Sequence, residues 1–148
     1  PSELSNTPFD PFQPVIMPGV TEKQPGKEAV ALICTGDAFN LAESIWQMLQ
    51  SEGIRAQLIR LRCLKPLNKE MLLDLGKTCR HIYTFENGSL IGGVGAHITQ
   101  ILATSPATVR NFGYPDEFIP HGRTDLLLEK IGFTAEHIGK EILGELKA

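Results

Sequence analysis

The sequence predicts an α/β domain of three layers, in which helices cover both faces of a mainly parallel, mixed sheet of about five strands. Short apolar runs alternate with segments whose apolar residues recur every three to four positions, as in strands and amphipathic helices. The connections between these segments are short, and repeated strand–helix–strand units with short connections form parallel sheets. A chain of 148 residues with 42% apolar residues suits one such domain.

Two strands and two helices are predicted between residues 29 and 76. Residues 29–34 form a continuous apolar run, which is typical of a strand covered on both faces. The second strand is predicted at 57–61. The first helix ends at the breaker Gly53, and Asn68 can cap the second helix, which we expect to end at Gly76. The apolar positions of these helices are Leu41, Ile45, Met48 and Leu49, then Met71, Leu72 and Leu75.

The remaining elements follow the same rules. Strands are predicted at 81–85 and 108–112, with Glu86-Asn87-Gly88 interpreted as the loop after the first of them. Thr134 can cap the last helix. The predicted helices are one that carries Val94, Ile98, Ile101 and Leu102, one at 124–131, and one at 135–146 with the stripe Ile138, Ile142 and Leu146.

Residues 1–25 are interpreted as an extended arm or linker, and residues 26–148 as the folded domain. Six of the ten prolines lie in the arm, and proline removes a backbone donor, so a helix or a central strand is excluded there. The apolar triplet Val15-Ile16-Met17 could add a short edge strand. Because the sequence begins at Pro1 without an initiator methionine, we expect a processed product or a piece of a longer protein.

Composition argues against several classes of protein. The net charge is −3 and basic residues are not clustered, so nucleic-acid binding is not expected. No apolar run approaches 18 residues, so a membrane-spanning helix is not expected. The three cysteines Cys34, Cys63 and Cys79 are widely spaced, which predicts reduced, mostly buried thiols in a cytoplasmic protein rather than a disulfide framework.

Charged residues follow three of the predicted strands. Asp37, Lys65 and Glu86 come after successive strands, and the carboxyl ends of parallel strands share one edge of the sheet, where ligands bind. This edge could bind an anion or an effector. The same residues are equally typical of ordinary turns, in which polar side chains cap backbone groups.

The glycine-rich stretch around Gly92, Gly93 and Gly95 leads into a predicted helix. Backbone amides at a helix N-terminus can hold an anion, so these glycines join the candidate edge. The stretch lacks the Gly-Lys-Ser/Thr end of a P-loop, and it follows the third strand rather than the first. The alternative is that the glycines let the helix pack close against the sheet.

The segment 111–122 carries aromatic and apolar residues on a chain that two prolines hold out of helix. It either covers the end of its own sheet or forms a partner surface; the candidate interface residues are Tyr114, Phe118, Ile119 and His121. Elsewhere we find no Gly-x-Ser-x-Gly nucleophile elbow and no histidine pair at metal-ligand spacing. No residue is therefore predicted to be catalytic, and no metal site is predicted.

From about Gly26 to its end, the sequence resembles the C-terminal domain of transketolase-like, thiamine-diphosphate-dependent enzymes. The motifs that carry the resemblance are residues 26–30, 53–56, 62–68 and 86–95 in the family's order. Residues 113–122 are most similar to the 1-deoxy-D-xylulose-5-phosphate synthase branch. Asn68 and Asn87 depart from the family pattern, which often has an acid at both positions.

The resemblance implies a parent enzyme that joins a two-carbon unit from pyruvate to glyceraldehyde 3-phosphate. It also implies that thiamine diphosphate and Mg²⁺ are bound in preceding domains, where Mg²⁺ is held by a Gly-Asp-Gly motif. This chain has Gly36-Asp37-Ala38 instead of such a motif. We therefore expect no cofactor on this chain and a structural, dimer-forming role beside those domains. The alternatives are the same domain of a transketolase or of a 2-oxoacid dehydrogenase β subunit, and a free-standing anion-binding module.

Overall fold

The computed structural model describes residues 30–115 and 122–148, together with the backbone of residues 15–17. The strands are β1 (Val15–Met17), β2 (Val30–Cys34), β3 (Ala56–Arg60), β4 (His81–Ser89) and β5 (Thr108–Tyr114). The helices are α1 (Phe39–Ser51), α2 (Lys69–Thr78), α3 (Val94–Ile101), α4 (Thr124–Lys130) and α5 (Ala135–Lys147). A turn of 3₁₀ helix, Gly36–Ala38, precedes α1.

The five strands form one sheet in the order β1-β3-β2-β4-β5. The four strands from β2 onward are parallel, and β1 lies antiparallel to β3 at the edge, with Ile16 opposite Ile59. The predicted edge strand is thus confirmed, and it brings part of the proline-rich arm into the sheet. The predicted mixed, mainly parallel sheet is confirmed as well.

Helices cover both faces of the sheet, because alternate side chains of each buried strand point to opposite faces. On one face, Leu32 and Tyr83 pack with α1 and α5; on the other, Ile33 and Ile82 pack with α2 and α3. The central strand β2 is buried along its whole length. This is the predicted three-layer arrangement.

Two predicted helix caps are confirmed. The Asn68 side chain accepts a hydrogen bond from the amide of Met71 (3.0 Å), and Thr134 Oγ1 accepts one from the amide of His137 (3.3 Å). Each bond satisfies a backbone donor that the first helical turn leaves unpaired.

Three predicted boundaries are wrong, and one of them is the end of β5, which runs to Tyr114 rather than to Phe112. Helix α2 passes through Gly76 to Thr78, because the missing side chain of Gly76 lets Ser105 approach and donate a hydrogen bond to its carbonyl (2.8 Å). Strand β4 continues beyond Phe85 through the predicted loop to Ser89. An irregularity between Phe85 and Ser89 shifts the register, and pairing resumes where Ser89 lies opposite Tyr114.

Candidate functional site

The candidate site lies where the parallel strands end, on either side of the boundary between β2 and β4. After β2 the chain turns toward β3, whereas after β4 it continues toward β5 on the other side. In open α/β sheets, such a reversal of strand order opens a crevice that holds ligands. The 3₁₀ turn after β2 and the N-terminus of α3 meet the sheet at this edge.

Glu86 is the buried acid at this edge, with only 8% of its surface exposed. Its carboxylate accepts hydrogen bonds from the amides of Val94 (2.9 Å) and Gly95 (3.2 Å), at the start of α3. Gly93, at the N-cap position, has no side chain to do this, so Glu86 caps the helix from the neighbouring strand. A carboxylate here also interacts favourably with the positive end of the helix dipole.

Each glycine of the stretch has a steric role. Gly92 has a φ of +69°, in the left-handed region that favours glycine. A Cβ on Gly93 would lie 2.4 Å from Glu86 Oε1, and a Cβ on Gly95 would lie 2.6 Å from Thr84 Oγ1. The interpretation that the glycines let the helix pack close against the sheet is therefore confirmed for Gly93 and Gly95 but not for Gly92, while anion binding at this edge stays a prediction.

A hydrogen-bonded polar chain ties α3 to the sheet. Buried Thr84 donates to Asn111 Oδ1 (2.7 Å), Asn111 Nδ2 donates to Thr99 Oγ1 (2.9 Å), and Thr99 Oγ1 donates to the carbonyl of Gly95 (2.9 Å). Sequence reasoning missed this chain, although a threonine inside the apolar run 81–85 was a signal for it. Such connected networks hold packed elements in one geometry.

The other two predicted edge residues are solvent-exposed. Asp37 lies in the 3₁₀ turn, and Lys65 lies in the connection between β3 and α2. Within residues 30–115 and 122–148, neither side chain forms an ion pair or a hydrogen bond with Glu86. The structure therefore does not assemble the three charged residues into one cluster.

The described residues do not fit a bound metal–diphosphate group. No group of three or more histidine, cysteine or acidic side chains in this part of the chain is arranged to hold a metal ion. The acid of Gly36-Asp37-Ala38 is exposed to solvent. A shallow groove of about 310 Å³ beside α2, with Asn68, Glu70 and Asp74 in its wall, lies on the helix rather than at the strand ends.

The predicted reduced thiols are present, and two of them are buried. Cys34 and Cys79 lie in the core, whereas Cys63 is partly exposed and donates to the carbonyl of Lys65 (3.3 Å). Burial raises the pKa of the Cys34 thiol to about 12, although Arg60 lowers it, and burial also raises the pKa of Cys79. Because the thiolate is the reactive form, burial and a raised pKa both make these two cysteines poor nucleophiles at neutral pH.

An ion cluster that sequence reasoning missed joins β5 to α5. The Arg110 guanidinium contacts the carboxylates of Glu141 and Glu145, and the Tyr83 hydroxyl donates to Glu145 (3.0 Å). Burial raises the pKa of the Tyr83 phenol. The acids of this cluster are more than one-third exposed, and the arrangement joins a helix to the sheet. The signal in the sequence was the spacing of Glu141 and Glu145, which lie four residues apart on one face of a predicted helix.

Of the four predicted interface residues, Tyr114 alone lies within the described part of the chain. Its ring packs edge-on against Phe133 of the same domain, with 5.3 Å between ring centroids. Phe118, Ile119 and His121 lie outside the described residues. The described helices include none that is both long and apolar enough to cross a membrane.

Comparison with known proteins gives a consistent assignment. Residues 19–138 match the family described as "Transketolase, C-terminal domain". The chain is 34% identical over 113 residues to the 1-deoxy-D-xylulose-5-phosphate synthase of Heliobacterium modesticaldum, which is 75% of this chain and 18% of that protein. It is 36% identical over 121 residues to the synthase of Bacteroides thetaiotaomicron, again 18% of the relative. The chain thus spans about a fifth of the length of these relatives.

Solved structures show the same fold. A split-gene transketolase, solved as an inactive β4 tetramer, superimposes with a TM-score of 0.79 and 27% identity, over 96% of this chain and 45% of that one. A transketolase from Pichia stipitis superimposes with a TM-score of 0.61 at 18% identity, over 92% of this chain and 18% of that one, which shows the fold alone. The family match over residues 19–138 and the identity to these relatives show that the chain belongs to the transketolase C-terminal domain family.

Proposed function

We propose that this chain is the C-terminal domain of a thiamine-diphosphate-dependent transferase of the 1-deoxy-D-xylulose-5-phosphate synthase type, and that its role is structural. The observation that carries the proposal is the identity of 34% to 36% to such synthases over three-quarters or more of the chain. The parent enzyme would join pyruvate and glyceraldehyde 3-phosphate with release of CO₂. The cofactor and Mg²⁺ would be held by other domains.

The chemistry of the described side chains supports a role without catalysis. Glu86, the buried acid at the strand ends, is already used to cap α3, and the buried thiols keep their protons at neutral pH. Arg110 and its acidic partners join two elements of the same domain. These groups stabilise the fold, so the reaction would depend on groups from elsewhere in the parent.

The partners we propose are the preceding catalytic domains and a second copy of the parent, as a homodimer. The compartment we propose is the cytoplasm, where reduced thiols such as Cys34 and Cys79 persist. The domain would hold the catalytic domains in the correct relative position, and it would not contact the reacting atoms.

A hybrid enzyme tests the proposal. Residues 15–148 of this chain would replace the corresponding C-terminal segment of the Heliobacterium modesticaldum synthase, and deoxyxylulose phosphate formation would be measured from pyruvate and glyceraldehyde 3-phosphate. We expect activity within about tenfold of the parent synthase, which corresponds to a loss of roughly 1.4 kcal/mol or less in transition-state stabilisation. The synthase truncated before this segment is the control, and we expect it to be inactive.

A second candidate function, a transketolase subunit, is favoured by the high coverage of the split-gene transketolase. Replacing the corresponding segment of that transketolase with residues 15–148 distinguishes the synthase domain from the transketolase subunit. An active transketolase hybrid beside an inactive synthase hybrid would favour the second candidate. Turnover of pyruvate by this chain alone, with thiamine diphosphate and Mg²⁺ supplied, would contradict a structural role in either enzyme.

A further inference from the structure

Near the end of β4, the first backbone amides of α3 bind a carboxylate that belongs to the chain itself, the side chain of Glu86. Strand order reverses between β2 and β4, which is where open α/β sheets bind ligands, and the first backbone amides of α3 point at this place. We call this place the switch-point crevice; it is lined by Cys34, Thr35, Thr84, Glu86, Val94 and Gly95. Its walls leave no room for a water molecule.

The Glu86 carboxylate is bound in the way a free anion would be. Both of its oxygens accept from backbone amides, at 2.9 Å from Val94 and 3.2 Å from Gly95, and the side chain is more than nine-tenths buried. A Cβ on Gly93 would lie 2.4 Å from Glu86 Oε1, so the backbone can approach the carboxylate this closely because residue 93 is glycine. Gly95 is likewise bare where it meets Thr84.

We propose that Glu86 permanently occupies the anion position of the switch-point crevice, so that the native domain takes no free phosphate or carboxylate there. A tethered carboxylate competes with free anions at an effective concentration of millimolar or more. The Glu86 carboxylate is also already in place once α3 has packed, whereas a free anion would have to be taken from solution. This proposal does not depend on the identity of the parent enzyme.

The proposal predicts that removing the carboxylate creates a site for a small carboxylate from solution. Glu86→Ala removes a fragment of the size of acetate and leaves the Val94 and Gly95 amides without an acceptor. In the full 148-residue chain, we expect acetate to shift the Val94 and Gly95 amide resonances of this variant and to raise its urea midpoint. At an acetate concentration ten times the dissociation constant, the ratio of folded to unfolded chain should rise about elevenfold.

Three controls isolate the crevice. Chloride at the same ionic strength should give none of these effects. The exposed acid Glu129 provides a matched variant, Glu129→Ala, which should not respond to acetate. The wild-type chain should show no shift at Val94 or Gly95 with acetate or inorganic phosphate; a shift there would overturn the proposal and support the anion site that the sequence predicts.

The outcome for a poorly folded variant is also decisive. If Glu86→Ala folds only when acetate is present, the proposal is supported; if it folds and its amides ignore acetate, the proposal is overturned. If it never folds, Glu86→Gln decides, because glutamine keeps the shape and removes the charge. We expect a drop of about five- to tenfold in the folded-to-unfolded ratio, since a charged acceptor binds amides more strongly than a neutral one. Stability equal to wild type would overturn the proposal.

Discussion

The Cys34 thiol lies at the end of the central strand, and its burial determines its chemistry. Its side chain has no exposed surface, and burial raises its pKa to about 12 in spite of the nearby Arg60. The desolvation of the charged form therefore outweighs the attraction of the guanidinium. The residue contributes to the core as a small apolar group.

The raised pKa of Cys34 predicts a loss of stability at alkaline pH. Between about 9.0, where the unfolded thiol ionises, and about 12, the native state holds a proton that the unfolded state has lost, so rising pH favours unfolding. From pH 9 to pH 11 the free energy of unfolding should fall by roughly 2–3 kcal/mol from this group. Well below pH 9, where the thiol is protonated in both states, the group adds no pH dependence.

Cys34→Ala checks this prediction. Urea unfolding at pH 8, 9, 10 and 11 should give a shallower alkaline slope than in wild type, whatever the variant loses at pH 8. Cys63→Ala, which removes a thiol outside the core, is the matched control for the loss of a cysteine side chain. Equal slopes for Cys34→Ala and wild type would contradict the assignment.

At the scale of elements, helix α3 depends on close approach to its sheet. Gly95 lies against Thr84 and Asn111, and the Thr84–Asn111–Thr99 chain returns to the Gly95 carbonyl. The helix is only eight residues long, so packing rather than helix propensity must hold it.

A pair of glycine substitutions tests this dependence. Gly95→Ala should lower the free energy of unfolding by about 1–3 kcal/mol, because its Cβ would lie 2.6 Å from Thr84 Oγ1. Gly144→Ala, in the exposed part of α5 with nothing within 4 Å, should raise it by about 0.5–1 kcal/mol. Urea or thermal unfolding measures both. A similar effect of the two changes would contradict the close packing of α3.

The caps and boundaries of the elements divide into local and non-local cases. Asn68 and Thr134 were predicted correctly, because a cap bonds a backbone amide three residues away. Gly76 was predicted wrongly as a helix end, because its partner Ser105 lies 29 residues further along the chain. The length of β4 was likewise set by pairing with β5, which the strand's own residues do not encode.

At the scale of the whole molecule, β1 protects one edge of the sheet. It covers β3, pairing Val15 with Arg60 and Met17 with Leu58. An uncovered edge strand presents unpaired backbone groups to other chains, which promotes association. Residues 15–17 of the proline-rich arm therefore have a structural role within the sheet.

Deletion of residues 1–17 should expose β3 and lower the free energy of unfolding by about 1–3 kcal/mol, since a few backbone hydrogen bonds are lost. Light scattering should also show more association than in wild type. Deletion of residues 1–14 keeps β1 and is the matched control, with a smaller effect on both measurements. Equal effects of the two deletions would mean that the β1–β3 pairing contributes little.

The sequence by itself determined the elements, their parallel arrangement, the two caps, the edge strand and the family resemblance, because each depends on residue patterns within a short segment. The tertiary structure alone decided what Glu86 does. Sequence reasoning placed it in a loop beside Asp37 and Lys65, whereas it lies buried in β4 and caps α3. The physical reason is that a carboxylate in a fold binds whichever donors the packing brings to it, and those donors belong to a helix that β5 and the sheet hold in place.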